Sequence, residues 1–218
     1  MGTLKMEKTH DLSINAVRFL ASVADANNPK NEINGVFFDF KNGYAVATDS
    51  RRLVRFRMPI DKTGKMKDVI VPKKILQSFS GAHKDKMDKV TFSTIKEETV
   101  VRTDSGDFDF ITKGLGGKYP DYFRIFPEKY DRIQRCRLDL SFIAVALGRE
   151  DIAFDYRYLK EVEMYIKQPS GAIYVDVKTN GRDNPFCLEL IEAGGAVAEY
   201  VIMPLQVTDG DVEEITCE

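Results

Sequence analysis

Three cysteines, two histidines and one glycine-rich stretch are the residues of this 218-residue chain whose types could do chemistry beyond packing. Cys136, Cys187 and Cys217 show no Cys-x-x-Cys spacing, and His10 and His83 lie far from them in the chain. Neither a disulfide framework nor a zinc set follows from such a pattern, and the thiols read as scattered. Gly114 to Gly117, followed by Lys118, lacks the full phosphate-loop pattern and runs into Tyr119-Pro120 rather than into a helix. No paired carboxylates and no nucleophile-base spacing stand out. The expectation is a protein that is not an enzyme and needs no cofactor or metal.

Composition narrows the class. Hydrophobic residues make up 43% and charged residues 30%, the balance of a globular protein with a sizeable core. Net charge is −2, from 32 Lys+Arg against 34 Asp+Glu, so the molecule as a whole does not attract nucleic acid and any affinity must be local. No apolar run approaches the roughly 18 to 20 residues of a membrane span, and Met1 to Asp11 lacks the apolar centre of a signal peptide. A cytoplasmic location without membrane contact is expected. Residues 208–218 are acidic and read as a solvated tail.

The elements that must position any site follow from periodicity. Ile14, Val17, Leu20, Ala21 and Ala24 recur at helical spacing within Ser13 to Asn27, with Ser13 as the N-cap. Strands are expected at Gly35 to Phe40, Tyr44 to Thr48 and Leu53 to Met58, the first two joined by an Asn42-Gly43 turn. A second block has a strand at Val69 to Val71, a helix from Lys73 to Phe79 opened by Pro72, and strands at Lys89 to Ser93, Glu98 to Thr103 and Asp107 to Thr112. Val46 to Ser50 and Val101 to Ser105 share a Val-x-Thr-Asp-Ser string, a hint of duplication. Tyr130 to Asp139 reads as a charged connector, followed by a brief helix over Leu140 to Leu147 that ends at Gly148. The third block is expected to run strand (Ile152 to Phe154), helix (Tyr156 to Lys167) and strands (Ala172 to Lys178, Pro185 to Ile191, Glu199 to Pro204). The fold class is α+β, with antiparallel sheets on one side and helices on the opposite face.

Several strings then carry a family resemblance. Ile33-Asn34-Gly35, Ala47-Thr48-Asp49-Ser50-Arg51-Arg52-Leu53, Met58-Pro59-Ile60, Val69-Ile70-Val71-Pro72-Lys73-Lys74 and Lys118-Tyr119-Pro120-Asp121-Tyr122 resemble, in order, the middle domain of the bacterial DNA polymerase III beta subunit, the sliding clamp. Ile152-Ala153-Phe154, Tyr158-Leu159 and Tyr200-Val201-Ile202-Met203-Pro204-Leu205 resemble the closing half of that family's third domain. The resemblance implies a DNA-clamp-like fold of repeated strand-helix-strand units. Residues 1–127 would be the middle-domain-like part and 128–150 the connector, with 151–207 the closing half-domain and 208–218 the tail. It counts three units where the family has six, and nothing corresponds to the family's first domain.

The resemblance also implies a groove for partner peptides, of the kind carried by polymerases and clamp loaders. Residue by residue it would be built from Ile33, Thr48, Ser50, Arg51, Arg52, Leu53, Pro120, Arg124, Ile125, Val201, Ile202, Met203, Pro204 and Leu205. Ser50 and Arg51 stand where the family usually has glycine and histidine, and Gln206 where it usually has arginine. On residue type alone Ile33, Leu53, Ile125 and Met203 fit core positions equally well, whereas Arg52 and Arg124 do not suit a sealed core. Helices facing a duplex without reading it need Lys and Arg near phosphates, for which Arg18, Lys30, Lys73, Lys74, Arg157, Lys160 and Lys167 are the candidates, an ordinary solvated face being the alternative. The expected function is a processivity factor with weak, non-specific affinity for double-stranded DNA and with homo-oligomer formation. The alternative is an adaptor or decoy that binds clamp-interacting peptides without encircling DNA.

Overall fold

The computed structural model describes residues 7–60, 66–81, 89–95, 98–103, 109–112, 114–137, 139–166 and 174–205. It begins with β1 (Glu7–Ser13), a strand the sequence reading did not expect, and passes directly into α1 (Ile14–Val23). Ser13 caps α1, its Oγ accepting from the Ala16 N–H at 3.2 Å. Then follow β2 (Gly35–Asp39), β3 (Tyr44–Thr48), β4 (Arg52–Arg57), β5 (Val69–Pro72), α2 (Lys73–Gly81), β6 (Lys89–Ile95), β7 (Glu98–Thr103) and β8 (Asp109–Thr112). The rest of the chain supplies β9 (Arg132–Arg137), α3 (Leu140–Gly148), α4 (Leu159–Ile166), β10 (Tyr174–Thr179), β11 (Phe186–Glu192) and β12 (Gly195–Ile202).

Two antiparallel sheets result. One has the order β1-β6-β7-β8, and the other the order β5-β2-β3-β4-β12-β11-β10-β9. The long sheet joins the first and last parts of the chain through β4 and β12, with Leu53 opposite Val201 and Arg52 opposite Ile202. One continuous core of Val17, Phe19, Leu20, Phe38, Val54, Phe56, Phe92, Ile143, Val162, Leu188 and Tyr200 spans both parts. Phe19 on α1 meets Phe56 and Tyr200 edge-on at 5.7 and 5.2 Å, so the helix layer bridges the β4–β12 seam. Gly35 is required where β2 runs against β5, because a Cβ there would lie 2.3 Å from the Val71 carbonyl oxygen.

The closing part repeats the plan of the opening part with its centre removed. In the opening part β1 and α1 are followed by β2 to β5, and then α2, β6, β7 and β8 close the small sheet, β1 pairing antiparallel with β6. In the closing part β9 and α3 are followed at once by α4, β10, β11 and β12, with β9 antiparallel to β10. The segment read as a charged connector is therefore a strand; with arginines at three of its six positions and only Ile133 and Cys136 apolar, it carries no clean alternation. Ile152 to Phe154 is not a strand. Its counterpart β5 ladders onto β2, and the closing part has no such neighbour, leaving the Ala153 carbonyl to accept from the Leu205 N–H at 2.8 Å. The helix expected over Tyr156 to Lys167 divides into a 3-10 turn at Tyr156–Tyr158 and α4, and its last residue, Lys167, lies outside the described residues.

Candidate peptide-binding face

Alternation along β4 sends its side chains to two different places. Val54 and Phe56 join the helix-side core, while Leu53 joins a second cluster on the opposite face with Ile33, Val46, Ile70, Tyr119 and Tyr122. That second cluster is covered by the segment from Gly114 to Pro127, a strap lying over the outer face of β2, β3 and β4. Tyr122 anchors it by donating to the Asp39 carboxylate at 2.7 Å, and Tyr119 stacks on Phe37 with ring centroids 4.8 Å apart. Burial, then the bond to Asp39, pushes the Tyr122 hydroxyl above its ordinary range, so the anchor stays a donor. Gly117 passes close to Glu32, where a Cβ would lie 2.5 Å from Cγ.

Arg55 is a tie that sequence reasoning missed. It sits on the same outer face, paired with Glu199 of β12 at 2.7 Å, and its guanidinium lies 3.5 Å from the Phe126 ring centroid and 4.8 Å from that of Tyr44. One side chain thus fastens the strap to both sides of the seam. The signal was available in the alternation Leu53, Arg55, Arg57, which shares the parity of a proposed groove residue.

At the end of the seam the chain turns tightly. The Asp49 carboxylate accepts from the N–H groups of Arg51 and Arg52 at 2.9 and 3.0 Å, and Thr48 Oγ1 donates to the Arg52 carbonyl at 2.7 Å. Ser50 takes φ 77°, a left-handed conformation that glycine adopts without penalty. The Met203 N–H donates to the Arg51 carbonyl at 2.9 Å, fixing the segment after β12 against this turn.

The predicted groove residues divide by depth. Ile33, Thr48, Leu53, Val201 and Ile202 are buried; Leu53 and Val201 are direct cross-strand neighbours on the outer face, and Ile202 belongs to the helix-side core. Ser50, Arg51, Pro120, Arg124, Ile125, Met203 and Leu205 are exposed, and Pro204 is half-buried. Arg124 pairs with Asp121 at 3.0 Å on the strap surface. Arg52 points to the other face of the sheet. It meets Glu161 of α4 at 2.9 Å, Asp49 at 2.9 Å and the Tyr200 hydroxyl at 3.0 Å, with its guanidinium 4.5 Å from the Tyr158 ring centroid.

The helix-layer cations also divide. Lys30, Lys74, Arg157 and Lys160 are exposed, although Arg157 closes on Asp155 and, by hydrogen bonding, holds that carboxyl down at about 2. Lys73 is committed: its ammonium donates to the Ala24 carbonyl at the end of α1, and burial lowers its pKa. Arg18 is half-buried, with Nε and Nη2 shielded from solvent.

Comparison with known proteins places this architecture. Residues 6–121 match the family model of the DNA polymerase III beta subunit, central domain, over more than half of the chain. The chain belongs to that family. Among curated relatives, the beta sliding clamp of Streptococcus pneumoniae is 28% identical over 118 residues, covering 54% of this chain but 31% of the relative. That of Staphylococcus epidermidis is 32% identical over 85 residues, covering 39% of this chain and 22% of the relative. The match therefore spans about a third or less of these relatives' length. Among solved structures, the DNA polymerase sliding clamp from Pseudomonas aeruginosa superposes with a TM-score of 0.68 over 95% of this chain and 68% of that chain, at 17% identity. The Caulobacter crescentus beta sliding clamp gives 0.66 over 95% and 67%, at 18% identity. These likenesses show that the clamp fold extends past the family-model match into the closing part. Among the described residues no helix is long and apolar enough to cross a membrane.

Proposed function

We propose that this protein is a shortened sliding-clamp-like processivity factor, not an enzyme, that captures partner peptides at the outer face of the β4–β12 seam. The observation that carries the reading is the seam itself: Leu53 beside Val201, bounded by the strap on one side and by the Met203–Arg51 hydrogen bond on the other. Buried Leu53, Ile33 and Val201 form the floor, while exposed Ile125, Met203 and Leu205 supply apolar surface for a short extended segment. Ser50, Arg51, Pro120 and Arg124 form the rim.

The test is calorimetry with a peptide carrying one glutamine and two or three large apolar residues, of the kind that polymerases and clamp loaders present. Affinity near micromolar is expected, corresponding to about −8 kcal/mol. Met203→Ala and Ile125→Ala should each weaken it by about 1 to 2 kcal/mol at unchanged stability, because both side chains are exposed in the free protein. Leu53→Ala serves poorly, since emptying a buried site costs about 2 to 5 kcal/mol of folding. Absence of binding at high micromolar peptide would remove the groove reading.

Contact with double-stranded DNA belongs to the same reading as a weak, sequence-independent and salt-sensitive term carried by Lys74 and Lys160, the exposed lysines of α2 and α4. Replacing both by Glu should abolish retention on a duplex at low salt while leaving Lys73 at its structural post. One observation favours the alternative, an adaptor that does not encircle DNA: the closing part lacks counterparts of β2 to β5, so one end of the sheet system has a different construction. A homo-oligomer of three or more copies that stays on circular but not on linear DNA would decide for the encircling form.

A further inference from the structure

Chain direction delivers the acidic end of the sequence to the peptide face. The Met203 N–H bond to the Arg51 carbonyl and the Leu205 N–H bond to the Ala153 carbonyl hold the segment after β12 at the turn end of the seam, so residue 206 starts there. Thirteen residues follow Leu205; Asp209, Asp211, Glu213, Glu214 and Glu218 are acidic, none is Lys or Arg, and Val212 and Ile215 lie among the acids. At roughly 3.3 Å per residue of extended chain, Asp209 reaches about 13 Å from Leu205 and Glu214 about 30 Å. The strap falls within that reach. Phe126 lies on the guanidinium of Arg55, two positions along β4 from Leu53, which sets Arg124 and Ile125 next to the seam. The surface there combines exposed Ile125, Met203 and Leu205 with the exposed guanidinium groups of Arg51 and Arg124. Its own carboxylates are engaged: Arg55 holds Glu199, and the turn N–H groups hold Asp49. Arg124 and Asp121, 85% and 55% exposed at their 3.0 Å contact, form a solvated pair that exchanges partners at little cost.

We propose that residues 209–215 fold back onto this face of their own chain and act as a built-in competitor of partner peptides, a regulation that rests on the peptide reading of the same site. The segment brings what the face can hold: carboxylates that accept from the guanidinium forks of Arg51 and Arg124, and two branched side chains, Val212 and Ile215, for the apolar surface of Ile125 and Met203. A short tether makes a weak contact sufficient, because it supplies an effective concentration in the millimolar range. A segment that binds with a dissociation constant of about 1 mM is then docked most of the time, and it raises the apparent dissociation constant of an incoming peptide by about fivefold. The contact is largely between exposed charges, so salt releases it. A partner that brings its own acidic residues, or a rise in ionic strength, opens the face without any change in the fold.

The test uses the full chain with Cys136→Ser, in which Cys187 is buried and a nitroxide label goes to Cys217. In methyl spectra the label should broaden Ile125 and Met203 more than Met164 on α4 or Ile133 on β9, independently of protein concentration. Tethering alone broadens Met203 to some extent, so the decisive comparison is with D209N/D211N/E213Q/E214Q, which should lose most of the effect, as should Arg51→Gln with Arg124→Gln. The second arm is calorimetry at low salt with the glutamine-containing peptide, which the unlabelled D209N/D211N/E213Q/E214Q chain should bind about fivefold more tightly than the unaltered chain, the gap closing at high salt. Broadening that survives the four neutral substitutions, that centres on Met164, or that fades on dilution would overturn the proposal, the last by assigning the segment to another copy. Equal peptide affinity in the two chains would overturn it as well. Failure of both chains to bind the peptide would instead remove the peptide reading, and the broadening would still decide whether the segment docks.

Discussion

Arg52 offers the sharpest test of the physical account, because sequence resemblance assigns it to the peptide groove and the structure turns it toward the helix layer. Its side chain and that of Glu161 are 11% and 12% exposed, and they meet at 2.9 Å off the hydrogen-bond axis. Arg52 comes from β4 of the opening part and Glu161 from α4 of the closing part, so the pair fastens the two parts across the core. Arg52→Met leaves Glu161 without its cation in a nearly dry setting, which costs about 3 to 5 kcal/mol. Glu161→Leu is milder, at about 1 to 2 kcal/mol, since Arg52 keeps Asp49 and the Tyr200 hydroxyl. The double variant, with both charges gone, should lie within about 1 kcal/mol of the parent.

Urea unfolding of the four proteins reads this directly, with a coupling energy of about 5 kcal/mol expected from the cycle. On heating, Arg52→Met should unfold about 10 °C below the parent, in a single transition, because the shared core and the continuous sheet bind the parts into one unit. A loss below about 1 kcal/mol for Arg52→Met would refute the buried-tie account. So would a variant of unchanged stability that fails to bind peptide, since that result would return Arg52 to the groove.

Other consequences are simpler. Ser50→Gly should stabilise the chain by about 0.5 to 1 kcal/mol, because the left-handed φ that serine holds at a cost is open to glycine; a loss in urea unfolding would show that the Ser50 side chain contributes more than its strain removes. Cys187 lies fully buried beneath Tyr130, and burial pushes its thiol up to about 12, so in a Cys136→Ser/Cys217→Ser background it should resist a thiol reagent at pH 8 until denaturant is added. Arg135 holds Asp176 below the ordinary carboxylate value of 3.8 through bonds of 2.7 and 2.8 Å, so the stability it confers is present above that value and is lost as pH falls through the lower folded value. Arg135→Ala should therefore be less stable than the parent at neutral pH and converge with it only below about pH 4 in acid unfolding.

How much of this was legible in the residues depended on whether a local signal existed. The α1 stripe, the Ser13 cap, the Asn42-Gly43 turn, β3 and β7 were legible because each is encoded by neighbours in sequence: period, cap chemistry and turn chemistry. Strand β1 and strand β9 were not. The first falls mostly within Met1 to Asp11, a stretch weighed only as a signal peptide; the second, Arg-Ile-Gln-Arg-Cys-Arg, is held by its ladder to β10 and by the Arg135–Asp176 and Arg132–Glu150 ion pairs, which are visible only after folding. Ile152 to Phe154 erred the other way: its apolar run suits a strand, but a strand needs a neighbour. The proposed groove residues were found as a set through family strings, and their division into floor and rim required strand parity. Lys73 looked like a free cation because sequence cannot reveal that the Ala24 carbonyl, 49 residues away, needs a donor.

The proposed peptide face and the flank of α3 respond differently to the missing strands of the closing part, and the reason is the pairing partner of β12. That strand does not complete a sheet with strands of its own repeat beyond β11; it pairs with β4 of the opening part, from Ala198 opposite Phe56 to Ile202 opposite Arg52. Removing counterparts of β2 to β5 from the closing part therefore leaves the seam untouched, with Leu53, Val201 and the Arg55–Glu199 tie in place. The same absence leaves α3 less covered than α1, whose Phe19 packs on Phe56 of its own repeat and on Tyr200 and Tyr165 of the closing part, while Phe142 and Val145 stay exposed. Shortening at this point spares the floor of the peptide face and places its whole cost on the flank of α3.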